Sequence, residues 1–409
     1  MDIQILNTSK VHLKSKVEVT GSKSESNRLL LLQALYPEIS IRNLSNSDDS
    51  VLMQKALNSN EEIVDIHHAG TAMRFLTAYF SIQEGREVVL TGSKRMKERP
   101  IKILVEALIQ LGADITYLEN DGFPPLKIRG KRLAKNKVAL DANVSSQYIS
   151  ALLLIASKLD NGIELTLNGE ITSVPYIKMT LALLNEIEIA SSFEGNCIKV
   201  LPFTESSHKD SLIVESDWSS ASYFYSIVAL SAVGTEIKLS SYKKNSLQGD
   251  SVLATIYTHF GVETIFSETS ITLRKVENNS AEPNLELDLS NAPDIAQTIA
   301  VTCFGLGRSC DLTGLHTLKI KETDRLVALK SELEKFGAEI TITNDSLHLS
   351  PSSTINEGVE VATYNDHRMA MAFAPLGLKT TLTIKDAMVV SKSFPQFWED
   401  LKHVGFVLK

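Results

Sequence analysis

The feature that most constrains this chain is a helix that ends in apolar-x-x-apolar-Gly and runs straight into a strand, over and over. It reads Leu108-Ile109-Gln110-Leu111-Gly112, Tyr257-Thr258-His259-Phe260-Gly261, Leu333-Glu334-Lys335-Phe336-Gly337 and Leu401-Lys402-His403-Val404-Gly405. A weaker copy, Leu183-Leu184-Asn185-Glu186-Ile187-Glu188-Ile189, lacks the glycine. Glycine suits such an ending because it enters the left-handed backbone region that closes a helix. Neighbouring copies lie roughly 70 to 75 residues apart, which gives about six units in the chain. Short alternating strands such as Glu87–Gly92 and Glu164–Gly169 fall within the units, so the expected class is α/β of the α+β type, with helices interleaved among strands. At 409 residues the chain is too long for one ordinary core, and two domains of roughly 200 residues each are expected.

Cationic residues cluster where polar stretches meet apolar helices. Gly21-Ser22-Lys23-Ser24-Glu25-Ser26-Asn27-Arg28 precedes Leu29–Leu32, and Arg95-Met96-Lys97-Glu98-Arg99-Pro100 precedes Ile101. Lys321-Glu322-Thr323-Asp324-Arg325 precedes Leu326, Asn365-Asp366-His367-Arg368 precedes Met369, and Lys392 follows later. Helix N-termini carry unpaired N–H groups and partial positive charge, so cations placed there are unfavourable unless an anion faces them. The pattern therefore predicts a site for a highly anionic ligand. The helices behind the junctions, such as Ile149–Ala156 and Met369–Ala374, are apolar on nearly all faces and should be buried. Buried helices surrounded by sheet, with their N-termini aimed at one cleft, would concentrate donors and cations there.

Several classes are excluded. A net charge of −8 argues against a nucleic-acid surface, and no apolar run approaches a membrane span. Three cysteines without paired spacing suggest ordinary thiols in a reducing compartment. His67-His68 lacks a carboxylate or cysteine at ligand spacing, so no metal is expected there. These readings predict a cytoplasmic protein with no nucleic-acid or membrane partner, and nothing in the pattern demands oligomerisation, so a monomer is expected.

Ten segments in chain order carry a family resemblance: Gly21–Ser24 with Asn27-Arg28, Ala69–Arg74, Arg95–Pro100, Ser145-Ser146-Gln147, Ser173 with Pro175-Tyr176, Asp217 with Ser219–Tyr223, Pro293-Asp294, Lys321–Arg325, Asn365–Ala370, and Lys392. Together they resemble the 5-enolpyruvylshikimate-3-phosphate synthases, a family of enolpyruvyl transferases. The resemblance implies two similar domains, each of three βαβαββ-type units with buried helices surrounded by sheet, an inside-out barrel-like arrangement with the active site in the interdomain cleft. One domain would comprise residues 1–19 and 216–409, the other residues 20–215. The implied reaction transfers the enolpyruvyl group of phosphoenolpyruvate to the 5-hydroxyl of shikimate 3-phosphate, without a cofactor, on the route to chorismate and the aromatic amino acids.

The resemblance also implies roles. Lys23, Arg99, Arg325, Arg368 and Lys392 would hold phosphoenolpyruvate, with Gly70 allowing close backbone approach and Thr71 and Gln147 beside it. Ser145, Ser146 and Ser173 would take the shikimate phosphate, while Ser24, Arg28, Tyr176, Asp294 and Lys321 would hold its ring, hydroxyls and carboxylate. Glu322 would give and retake the proton at carbon, Asp294 would accept the hydroxyl proton, Lys23 and Lys392 would neutralise the reacting phosphate, and His367 would be auxiliary. The two substrates bring on the order of −5 to −6 charges, close to what Lys23, Arg28, Arg99, Lys321, Arg325, Arg368 and Lys392 supply. Three positions depart from the family pattern: His68 replaces an Asn, Phe75 replaces a Pro, and Thr317 stands where some relatives have an Asn. Because Gly70 is unsubstituted, the herbicide glyphosate is expected to bind. Two other readings are an enolpyruvyl transferase acting on a UDP-sugar, against which the absence of cysteine between Ser93 and Pro100 counts, and a non-catalytic anion-binding repeat scaffold.

Overall fold

The structure, a computed structural model, describes residues 1–141, 145–169, 171, 173–203, 211–277 and 284–409. Two compact units divide the chain: Gly21–Val214 forms one, and Met1–Thr20 joins Glu215–Lys409 to form the other. Each has its own apolar core.

One strand pattern recurs. Ile63–Asp65 runs parallel to Glu87–Thr91, which lies antiparallel to Leu126–Arg129, which in turn pairs antiparallel with Asp114–Tyr117. Helices Gly70–Ser81 and Lys102–Leu111 fall between the first three strands in sequence, so the unit reads βαβαββ. Lys137–Asp141, Ile163–Asn168, Cys197–Val200 and Ser191–Glu194 repeat the order. The other unit repeats it twice more: in Lys14–Val17, Glu236–Ser240, Ser270–Lys275 and Val262–Phe266, and in Asn284–Asp288, Ser309–Thr313, Leu347–Leu349 and Ile340–Ile342. A fifth copy is assembled from distant pieces, because Val359–Val361 runs parallel to Leu382–Ile384 and the antiparallel neighbour is Ile3–Ile5, bridged to Leu408. A sixth keeps only the parallel pair Ser40–Arg42 and Ser211–Ile213. The described residues thus form six sheets, three in each unit.

The first helix of each pattern is the buried one. Gly70–Ser81, Ala296–Gly305 and His367–Phe373 are buried along their whole length, as are Ser146–Ala156 apart from Gln147 and Trp218–Leu230 apart from Ser219. A helix apolar all round can be stable only with neighbours on every side. Burial of side chains such as Leu152, Leu153 and Leu154 stabilises the fold by about 1.5–3 kcal/mol each.

The recurring glycines close their helices as the pattern predicts. Gly112, Gly337 and Gly405 have φ of 109°, 94° and 114°, and the next amide reaches back five residues, Ala113 N to Leu108 O at 2.9 Å and Phe406 N to Leu401 O at 3.0 Å. In the copy without glycine Glu188 takes the same conformation, φ 65°, and Ile189 N donates to Leu184 O at 2.9 Å. Among the described residues no helix is long and apolar enough to cross a membrane.

Candidate active site

In the Gly21–Val214 unit the Gly70–Ser81 and Ser146–Ala156 helices meet at their N-termini, and the Lys23–Leu35 helix packs against both. Ser22 and Ser145 cap the Lys23–Leu35 and Ser146–Ala156 helices by accepting from Glu25 N and Gln147 N, and the Gln147 side-chain amide donates to Thr71 Oγ1 at 3.2 Å. Gly70 opens the third helix. A Cβ on it would stand 2.5 Å from Nη1 of Arg99, so the absence of a side chain lets that guanidinium lie against the helix start. Neither Lys23 nor Arg99 has an ion-pair partner among the described residues. Ser146 is buried behind its cap, and Ser173, at φ 54° just before Val174–Glu186, lets Tyr176 N donate to its carbonyl.

Two buried arginines hold this half together. Arg74 donates to Gly70 O at 3.1 Å and to Pro100 O at 3.0 Å, and Tyr148 Oη reaches the same Pro100 carbonyl at 2.6 Å. The backbone that carries Arg99 is thereby anchored to the helix Arg99 faces. Arg28 donates to Thr180 Oγ1, Ser24 O and Ser150 Oγ at 2.8, 2.7 and 2.9 Å, with the rings of Phe75 and Tyr176 5.4 and 5.8 Å from its guanidinium. Phe75 therefore packs against the arginine that links Ser24 to the Tyr176 helix. Burial pushes both guanidinium groups down to about 10, and Arg99 adds to the effect on Arg74.

In the other unit Arg325, Arg368 and Lys321 are matched by carboxylates. Arg325, 2% exposed, donates to Asp294, Glu322 and Asp366 at 2.8, 2.7 and 2.7 Å. Arg368 reaches Asp294 at 3.2 Å and Ser219 Oγ at 3.3 Å, and Lys321 lies 3.5 Å from Asp294. Burial alone would raise the Asp294 carboxyl, yet Arg368, Lys321 and Arg325 outweigh it and hold the group well below the usual carboxylate range. For Asp250 burial wins, because Arg368 alone among the cations opposes it. Ser219 donates to it, and burial, with Asp294 nearby, pushes it up to about 7. Asp366 caps the His367–Phe373 helix through Arg368 N at 2.9 Å, beside the buried His367. Lys392 donates to the carbonyl and side-chain oxygens of Asn365 at 2.6 and 3.2 Å. Asp324 caps the Arg325–Lys335 helix, whereas Glu322 faces Arg325. The Thr317 hydroxyl is buried without a hydrogen-bond partner among the described residues.

Each predicted site residue thus falls into one of two groups: unneutralised cations, helix N-termini and hydroxyls in one unit, and a carboxylate-laced cationic cluster in the other. The first can bind anions. The second can bind them and also exchange protons. Among the described residues no cluster of three or more His, Cys, Asp or Glu could hold a metal. The sequence reading quoted Arg74, Ser219, Asn365 and Asp366 within the matching segments without giving them a role, and it missed Asp250. Arg74 was visible as a lone charge in an apolar run and Asp366 as an acid at a helix start, but Asp250 acts through the distant Ser219 and has no local signal.

Residues 54–401 match the family model described as EPSP synthase (3-phosphoshikimate 1-carboxyvinyltransferase). A 3-phosphoshikimate 1-carboxyvinyltransferase of Bacteroides fragilis is 45% identical, with 97% of each chain covered. One from Histophilus somni is 36% identical over 96% of this chain and 97% of its own. Among solved structures, an EPSP synthase from Acinetobacter baumannii is similar with a TM-score of 0.80 at 21% identity, covering 100% of this chain and 99% of that one. The enolpyruvyl transferase NikO from Streptomyces tendae is similar at 0.73 and 12%, covering 100% and 98%.

Proposed function

The chain belongs to the EPSP synthase family, and from that premise we propose how its own residues carry the family's reaction. The protein transfers the enolpyruvyl group of phosphoenolpyruvate to the 5-hydroxyl of shikimate 3-phosphate and releases phosphate. Likeness of fold alone does not choose the acceptor, since a fold serves many chemistries. The full-length relatives at 45% and 36% identity do favour shikimate 3-phosphate over a UDP-sugar and over a scaffold without activity.

In our reading, Lys23 and Arg99, with the Gly70 and Thr71 amides and Gln147, take the phosphate and carboxylate of phosphoenolpyruvate, together with Arg325, Arg368 and Lys392. Ser145, Ser146 and Ser173 take the shikimate phosphate; Ser24, Arg28, Tyr176 and Lys321 take its other groups. The single observation that carries this reading is Arg99, a guanidinium with no ion-pair partner among the described residues that lies against the Gly70 helix start. A nearby unmatched charge is worth roughly 4 kcal/mol in a partly screened site, so a cation so placed calls for an anion.

The 5-hydroxyl oxygen attacks C2 of phosphoenolpyruvate while C3 is protonated. The tetrahedral intermediate then loses a C3 proton as its bond to the phosphate oxygen breaks. Glu322 supplies and recovers the C3 proton, and Asp294 accepts the hydroxyl proton. Asp294 is a weak base while Arg368, Lys321 and Arg325 surround it. Anionic ligands that engage those cations raise its basicity, so binding itself readies the base. Lys23 and Lys392 stabilise charge on the leaving phosphate. Glyphosate should compete with phosphoenolpyruvate beside Gly70, and inhibition measured at varied phosphoenolpyruvate checks this. We also propose that the protein works as a cytoplasmic monomer.

The test is phosphate release from shikimate 3-phosphate and phosphoenolpyruvate, with UDP-N-acetylglucosamine as the control acceptor. Release with the UDP-sugar alone would overturn the assignment.

A further inference from the structure

Tyr364 and Asn365 are consecutive non-glycine residues with φ of 52° and 59°, a left-handed turn that side chains disfavour. Such a turn persists only where its surroundings hold it. Two clamps on one helix, Arg325–Lys335, do so here. At its start Arg325 grips Asp366 at 2.7 Å. Seven residues on, and so on the same face, the fully buried Glu332 carboxylate accepts from Tyr364 Oη at 2.7 Å, Ala362 N at 3.0 Å and Lys335 Nζ at 2.6 Å. Between the clamps the turn points both Asn365 oxygens at the Lys392 ammonium. Extended backbone at either residue would carry Asn365 away from that lysine.

We propose that Glu332 and Tyr364 are positioning residues for the transfer: they hold the left-handed turn that lets Asn365 aim Lys392 at the phosphate of phosphoenolpyruvate. The proposal rests on the role given to Lys392 above. Tyr364 is 41% exposed, so removing its hydroxyl takes away the hydrogen bond to Glu332 and little buried surface. A hydrogen bond to an ionised group is strong enough to matter.

The test uses the full chain and steady-state phosphate release. Tyr364→Phe should lower kcat about tenfold and raise KM for phosphoenolpyruvate, with KM for shikimate 3-phosphate unchanged and the melting temperature within about 3 °C of the parent. Glu332→Gln should act in the same direction. The decisive measurement is the double-mutant cycle: in a Lys392→Ala background, Tyr364→Phe should reduce kcat less than about twofold further, because the lysine it serves is gone. An equal loss in both backgrounds, or no loss in Tyr364→Phe, overturns the proposal. Active wild-type protein with an unaffected Tyr364→Phe variant removes the clamp alone, whereas wild-type protein that releases no phosphate removes the assigned reaction and the clamp with it.

Discussion

Gly70→Ala probes the link between fold and anion binding most directly. The added Cβ would lie 2.5 Å from Nη1 of Arg99 and 3.0 Å from its Cζ and Nη2, and these are its nearest neighbours. Comfortable contact is about 3.5 Å or more, so the guanidinium must retreat by about 1 Å. The helix itself has no reason to resist, because alanine suits a helix better than glycine by up to about 1 kcal/mol. The loop cannot follow easily, since Arg74 and Tyr148 both hold the Pro100 carbonyl. The displacement therefore falls on the Arg99 side chain, which loses its alignment with phosphoenolpyruvate. Hydrogen bonds to charged groups are worth about 1.5–3 kcal/mol, so KM for phosphoenolpyruvate should rise roughly 10- to 150-fold. KM for shikimate 3-phosphate should change little. Phosphate release at varied phosphoenolpyruvate and saturating acceptor, paired with a thermal melt, gives the answer. A folded variant whose KM for phosphoenolpyruvate stays within about twofold of the parent would refute both the steric reasoning and the role of Arg99.

Glu322→Gln should leave substrate binding nearly intact and depress turnover by about a hundredfold or more, the usual loss for a proton-transfer group; unchanged turnover removes Glu322 from the mechanism. Asp250 titrates near 7 when folded against 3.8 as its reference, so between those values the folded state holds the extra proton and stability falls as pH rises. Asp250→Asn cannot ionise and should therefore be more stable than the parent at pH 8, by up to about 4 kcal/mol, with the gap closing toward pH 4; a gap that does not vary with pH contradicts the assignment. Glu188→Gly should raise stability by about 0.5–1 kcal/mol, because glycine adopts the left-handed helix ending without strain, and a lowered urea midpoint would count against that reading.

The repeat was legible because each copy ends in a local backbone event. Gly112, Gly337 and Gly405 mark it openly, and Glu188 shows that the conformation, not the glycine, is what recurs. The fifth sheet could not be read in this way, since Ile3–Ile5 pairs with Leu382–Ile384 and nothing local in either strand names the other. The candidate site divides similarly. Lys23 and Arg99 were visible as cations at polar-to-apolar junctions, a signal that helix electrostatics explains. The sequence treats the seven site cations alike, yet the structure sets Lys23 and Arg99 apart from Arg325, Arg368 and Lys321, whose carboxylate partners come from other segments. Glu332 reads as an ordinary helix-face acid and is in fact buried beneath the Tyr364 turn.

The route of the backbone bears on how the molecule is made. Residues 21–214 carry their own core, and among the described residues their sheets pair only with one another, so this portion can reach its native state while later residues are still on the ribosome. Ile3–Ile5 leaves the exit tunnel long before its partner and must stay unpaired until Leu382–Ile384 emerges, a wait of nearly four hundred codons during which a bare strand edge is exposed to chaperones and to neighbouring nascent chains.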